Sequence, residues 1–161
     1  MILGLPAHPL LVHLAVALTP VAALLAVLSA VWPAARRKLG WITPAVTFLA
    51  LVAAGVTASA GEWLAEHLPT SDRIQRHTSM GEGLVAWTFL LFALTLAAWY
   101  WYRTWAPGGR RAGSTSATVA RAMPTVIAVL VGAVAIATLV DLVIIGHSGA
   151  AAVWDGVVTT P

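Results

Sequence analysis

The sequence predicts an all-α fold: an integral membrane four-helix bundle with both termini on the non-cytoplasmic side. Three observations carry that expectation. The 161-residue chain is 60% hydrophobic and only 9% charged, whereas soluble domains carry about 25% charged residues. Four apolar stretches each reach the roughly 20 helical residues that a bilayer core requires. The basic residues concentrate in the connections between the first and second stretches and between the third and fourth. By the positive-inside rule, those connections are cytoplasmic.

The expected spans cover about residues 10–32, 41–64, 83–105 and 125–146 within a single domain. The first is interrupted only by His13, Thr19, Pro20 and Ser29, and Asp141 is the one charge in the fourth. Pro20 falls inside its span, where proline removes a helical hydrogen bond and kinks the helix. Pro44 and Pro124 fall in expected first turns, where proline is tolerated. Arg36, Arg37 and Lys38 follow the first span, and Arg103, Arg110, Arg111 and Arg121 follow the third. Trp32, Trp41, Trp99, Trp101 and Trp105, with Tyr100 and Tyr102, mark the inner interface as an aromatic belt. Residues 108–116 read as a flexible cytoplasmic loop, and 148–161 as a short tail on the outer surface. Residues 1–7 carry no positive n-region, so the first span reads as a retained helix. These features make the lipid bilayer the protein's main solvent.

The net charge of +3 reflects scarce acids rather than a basic patch, so no nucleic acid partner is expected. The absence of cysteine excludes disulfides, thiolate metal sites, cysteine-ligated iron–sulfur clusters and covalently attached haem.

The polar residues of this chain are unevenly distributed. His8 and His13 lie at the outer start of the first span; Glu62, Glu66 and His67 lie at the outer end of the second. Asp72, His77 and Glu82 lead into the third, and Asp141, His147 and Asp155 lie at or beyond the outer end of the fourth. All five histidines and six acids therefore belong to the outer half. His13 sits roughly 6 Å inside a helix that starts near Pro9, where imidazole nitrogens need partners. His147, at the end of the fourth span, is placed to meet it. Asp141 is six residues from His147, about 9 Å deeper and on a different face, which suits a proton-binding or structural acid. Glu62 is placed to line the same cavity mouth. The third helix has two readings: Ser79 with Glu82 forms a capping box that leaves His77 outside, or Thr70 or Ser71 caps a longer helix carrying His77.

Histidines on facing helices hold b-type haem through two axial imidazoles. Candidate ligands are His8, His13, His77 and His147, with Arg73 and Arg76 placed for the propionates. The rival is a copper or zinc ion, with His13, His77, His147, Glu62 and Asp141 as candidate donors drawn from separate helices. His67, beside Pro69, is the expected bystander.

Several short motifs resemble a known family. His8-Pro9-Leu10-Leu11-Val12-His13 is similar to the N-terminal His-Pro-x-x-Val-His signature of the bacterial membrane proteins grouped as domain of unknown function 2231. Gly61-Glu62-Trp63 resembles that family's glycine–acid–tryptophan motif, with Glu62 where aspartate is more usual. His77 falls where the family has a histidine leading into its third helix. Gly146-His147-Ser148-Gly149, followed by Val153-Trp154 and Gly156-Val157-Val158, resembles its C-terminal block, with Ala150 at a usual glycine and Trp154 at a usual tyrosine. The resemblance covers nearly the whole chain. It implies a four-helix membrane domain that some relatives join to Rieske-type or cytochrome-type redox domains.

The reading that follows is a small membrane redox protein. It binds haem b near the outer face, with His13 as the leading ligand, and exchanges electrons with a periplasmic redox protein or quinone. The alternatives are a metal-ion protein for transport or sensing, and a non-catalytic partner subunit. No nucleophile triad, phosphate loop or catalytic metal spacing points to an enzyme with its own substrate, and oligomerisation stays open.

Overall fold

The computed structural model describes residues 7–69 and 71–154, with backbone alone at 152 and 153. Its elements are α1 (Ala7–Val31), α2 (Pro33–Leu39), α3 (Ile42–Glu66), α4 (Asp72–Thr104) and α5 (Ala117–Trp154), with a 3-10 turn at Ala112–Ser114 before α5. Among the described residues there is no strand. Four of these helices, α1, α3, α4 and α5, are long and apolar enough to cross a membrane.

The helices differ from the expected spans mainly at their ends. The segment after the first span is not a bare loop: Pro33 starts the seven-residue α2, and Gly40 ends it at φ 48°, a backbone region open to glycine. The α4 helix starts at Asp72, so the longer of the two readings holds. Ser71 is its N-cap and receives Gln75 N–H on its backbone carbonyl. Ser79 is an interior residue whose hydroxyl donates to the Arg76 carbonyl. Thr70, the other candidate cap, lies outside the described residues.

Two expectations for the fourth span change as well. Pro124 is not in a first turn but inside α5, which begins seven residues earlier. Ser116 Oγ accepts the Val119 N–H at 3.4 Å, and this cap draws the helix start back into the loop. At its other end α5 continues through His147 to Trp154, so residues 148–154 extend the helix. Asp155 and the Gly156-Val157-Val158 motif lie outside the described residues.

The four long helices form an antiparallel ring. Each of α1 and α4 packs against both α3 and α5, so α1 and α4 face each other across the diagonal. The interior is built from small side chains, including Ala15, Ala22, Ala23, Ala26, Ala50, Ala53 and Ala54, and from buried Thr19, Thr47, Thr88, Thr95 and Thr138. Large apolar side chains point outward: Val143 is 70% exposed and Ile136 65%. Water would expel such a surface, whereas lipid tails accept it and leave small residues to bring the backbones close. Several threonine hydroxyls return to carbonyls of their own helices, as Thr138 does to Val134 at 2.7 Å and Thr88 to Leu84 at 2.8 Å, whereas that of Thr19 is buried without a partner among the described residues. Thr47 and Thr95 also join α3 to α4 through a hydroxyl pair at 2.8 Å.

Candidate functional site

The two helices on one diagonal of the ring send an imidazole inward at the same end. His8 lies in the first turn of α1 and His77 in the second turn of α4. Their ring centroids are 6.0 Å apart with the planes at 81°. The other diagonal supplies the space. A Cβ on Gly61 of α3 would lie 2.9 Å from the His8 ring, and one on Gly149 of α5 would lie 2.9 Å from the His77 ring. Real Cβ atoms do not approach so closely, so each imidazole occupies room that only glycine leaves.

Both rings are held through Nδ1. His8 Nδ1 is 2.9 Å from the Thr57 carbonyl; a carbonyl only accepts, so Nδ1 carries the proton. His77 Nδ1 is 2.9 Å from Ser148 Oγ, and that hydroxyl donates its one proton to the Ile145 carbonyl at 2.8 Å. Ser148 therefore accepts from His77, whose Nδ1 is again the donor. In the neutral rings both Nε2 atoms keep free lone pairs, the state in which imidazole ligates a metal. Thr57 is itself fixed, its one hydroxyl proton shared between the Ala53 carbonyl at 2.6 Å and the Leu11 carbonyl of α1 at 3.2 Å. Backbone and hydroxyl groups on the neighbouring helices thus hold both rings.

The remaining candidates are not gathered with this pair. His13 is exposed, and its Nδ1 bonds the Pro9 carbonyl of its own helix at 2.8 Å. Five residues along a helix are some 500° of turn, which carries His13 off the face that His8 presents to the bundle. His147 is exposed as well, while its neighbours Ser148 and Gly149 face inward. The expected meeting of His13 with His147 therefore does not occur. His67 is exposed, stacked on Trp63 at 4.2 Å and bonded to the Trp63 carbonyl at 2.7 Å. Glu62, Glu66 and Glu82 are exposed. Arg73 and Arg76 lie on exposed positions of the first two turns of α4.

Asp141 stands deeper in the bundle. Its Oδ2 is buried without a hydrogen-bond partner, and a Cβ on Gly83 would lie 3.5 Å from that oxygen. Among the described residues, no three His, Asp or Glu side chains gather closely enough to hold a metal ion. Thr57 and Ser148, which orient the two rings, were absent from the sequence expectations. So was the role of Gly61 and Gly149 in making room for them. The available signal was a glycine on each of the two partner helices at the height of the histidines.

The family model for predicted membrane proteins of domain of unknown function 2231 matches residues 4–161. No curated protein and no solved structure matches the chain. The chain belongs to that family of predicted membrane proteins.

Proposed function

We propose that this member of the 2231 family is a membrane redox protein that holds b-type haem between His8 and His77, with the histidine end on the non-cytoplasmic side of a bacterial inner membrane. The observation that carries the reading is the number of donors. Two imidazoles complete the coordination of a haem iron, because the porphyrin contributes the other four nitrogens. A zinc or copper ion usually draws three or four side-chain donors, and the described residues gather no such set. Both rings offer Nε2 from opposite helices, with Nδ1 already engaged, which is the second-shell arrangement that orients a ligating histidine. Gly61 and Gly149 present no side chain at that level, so each imidazole is seated against backbone on the other diagonal. Arg73 is one turn before His77 on the same face of α4 and is the residue placed for an acidic edge of that guest. The haem would supply one-electron chemistry to a periplasmic redox protein or quinone, while the chain's own part is to fix two imidazoles and exclude lipid from between them.

The test is an absorption spectrum of the purified protein from cells supplied with haem precursor, oxidised and then reduced with dithionite. A Soret band and a reduced α band are expected. Their absence overturns the reading, and copper or zinc found by elemental analysis would then put the same two nitrogens to metal binding. His8→Ala and His77→Ala should each abolish or convert the low-spin spectrum, whereas His13→Ala, His67→Ala and His147→Ala should leave it unchanged.

A further inference from the structure

The opposite end of the bundle holds a cavity of about 590 Å³ among all five helices. Its polar wall carries Arg36, Arg37 and Arg103, its aromatic wall Trp99 and Tyr102, and its apolar floor includes Val131. Among the described residues no carboxylate lines it. All six acids of the chain belong to the other half of the sequence map, so these cations are not neutralised from within the cavity. Two of the guanidinium groups are already oriented by aromatic faces: Arg36 lies 3.7 Å over the Tyr102 ring and Arg103 lies 5.6 Å over that of Trp99. Arg36 is further held by the Ala30 carbonyl at 3.5 Å. The Tyr102 hydroxyl is buried beside it.

We infer that this cavity binds a phosphoryl anion, taken as the headgroup phosphate of an anionic phospholipid or as free phosphate. Planar guanidinium forks match phosphate oxygens in pairs, and three arginines without a carboxylate beside them create a positive field that favours an anion. The apolar floor below the cations gives acyl chains a place to continue into the bundle side, which favours the lipid as the source. The site is separate from the histidine pair and does not depend on what that pair binds.

The experiment is native mass spectrometry of the full chain in detergent, titrated with phosphatidylglycerol or phosphatidylcholine, with and without excess inorganic phosphate. Phosphatidylglycerol should be retained about tenfold or more over phosphatidylcholine, because both carry a phosphodiester and only that of phosphatidylcholine is neutralised by its own choline cation. Retention that survives inorganic phosphate assigns the lipid, and displacement by it assigns free phosphate. Arg36→Gln with Arg103→Gln should remove the preference, while Arg110→Gln with Arg111→Gln, an equal loss of charge in the following loop, should not. Equal retention of the two lipids with no effect of phosphate overturns the inference, as does equal loss in both double variants. A measurement on the unaltered protein covers the case in which the cavity variant does not fold: phosphatidylglycerol should shield Arg36 and Arg103 from phenylglyoxal more than Arg110 and Arg111. Equal modification of all four overturns the inference as well.

Discussion

The two halves of the bundle hold themselves together differently. Toward the arginine end, α1, α4 and α5 close on a cluster that includes Leu91, Ile127, Val131 and Val134, with Ala23, Ala26 and Ala30 filling between them. Toward the histidine end the interior is Ala15, Thr19, Ala53 and Ala54, and then two imidazoles seated against glycines. The first half is ordered by the shape of branched side chains together with buried threonines, among them the Thr47–Thr95 pair that joins α3 to α4. The second is ordered by hydrogen bonds and by the absence of side chains at two positions. Where polar groups fill the interior, position matters more than volume, because an unmatched donor inside a bundle has no water to turn to.

Six substitutions break or sharpen that contrast. Leu91→Ala should cost most, about 2–5 kcal/mol, since Leu91 is 1% exposed and lies within the branched cluster; thermal unfolding in detergent reads it. An undisturbed midpoint would mean that lipid or a neighbour fills the gap, and would remove the distinction between the halves. Gly61→Ala and Gly149→Ala should follow at about 1–3 kcal/mol. A new methyl must push an imidazole out of its seat, and the loss should be accompanied by release of the Nδ1 bond, visible in the imidazole NMR signals. If those signals stay in place, glycine is not what seats the rings.

Gly55→Ala and Gly132→Ala are the counter-test. Nothing lies within 4 Å of a Cβ at either position, so each should stabilise by about 0.5–1 kcal/mol through helix propensity alone. Destabilisation there would show that small residues are needed throughout and not only at the histidine end. Thr47→Val should have the smallest effect, a loss near 0.6 kcal/mol, the average for interhelical hydrogen bonds in membranes. Thr95 keeps a second partner in the Phe92 carbonyl at 2.9 Å, so the change orphans nothing. A loss several times larger would mean that the threonine pair organises the α3–α4 contact.

Much of the fold was readable from the chain. Helix number followed from four long apolar runs, because a bilayer-spanning segment must satisfy its backbone internally and must be long. Helix ends were less legible. Outside the hydrocarbon layer, hydropathy stops discriminating between a helix that ends and one that continues, and so α4 gained the turns that carry His77 while α5 ran on to Trp154. The candidate site was legible as a set of residue types at one end, and the pairing within that set was not. His13 looked more telling than His8 because it lies deeper, but depth along a helix says nothing of rotation about it. That rotation turned His13 to the exposed face and His8 to the axis.

The sequence alone determined the solvent, the number of spans and the concentration of histidines and acids at one end with arginines at the other. These are properties of composition and order along the chain, and a slab-shaped solvent reads them directly. Only the tertiary structure decided that α1 and α4 share a diagonal, that His8 and His77 meet across it, and that Gly61 and Gly149 leave the room. It alone placed Arg36 and Arg103 around one cavity. Those outcomes depend on how helices rotate and which pairs become neighbours, which is settled by the packing of small residues between helices and not by any one segment.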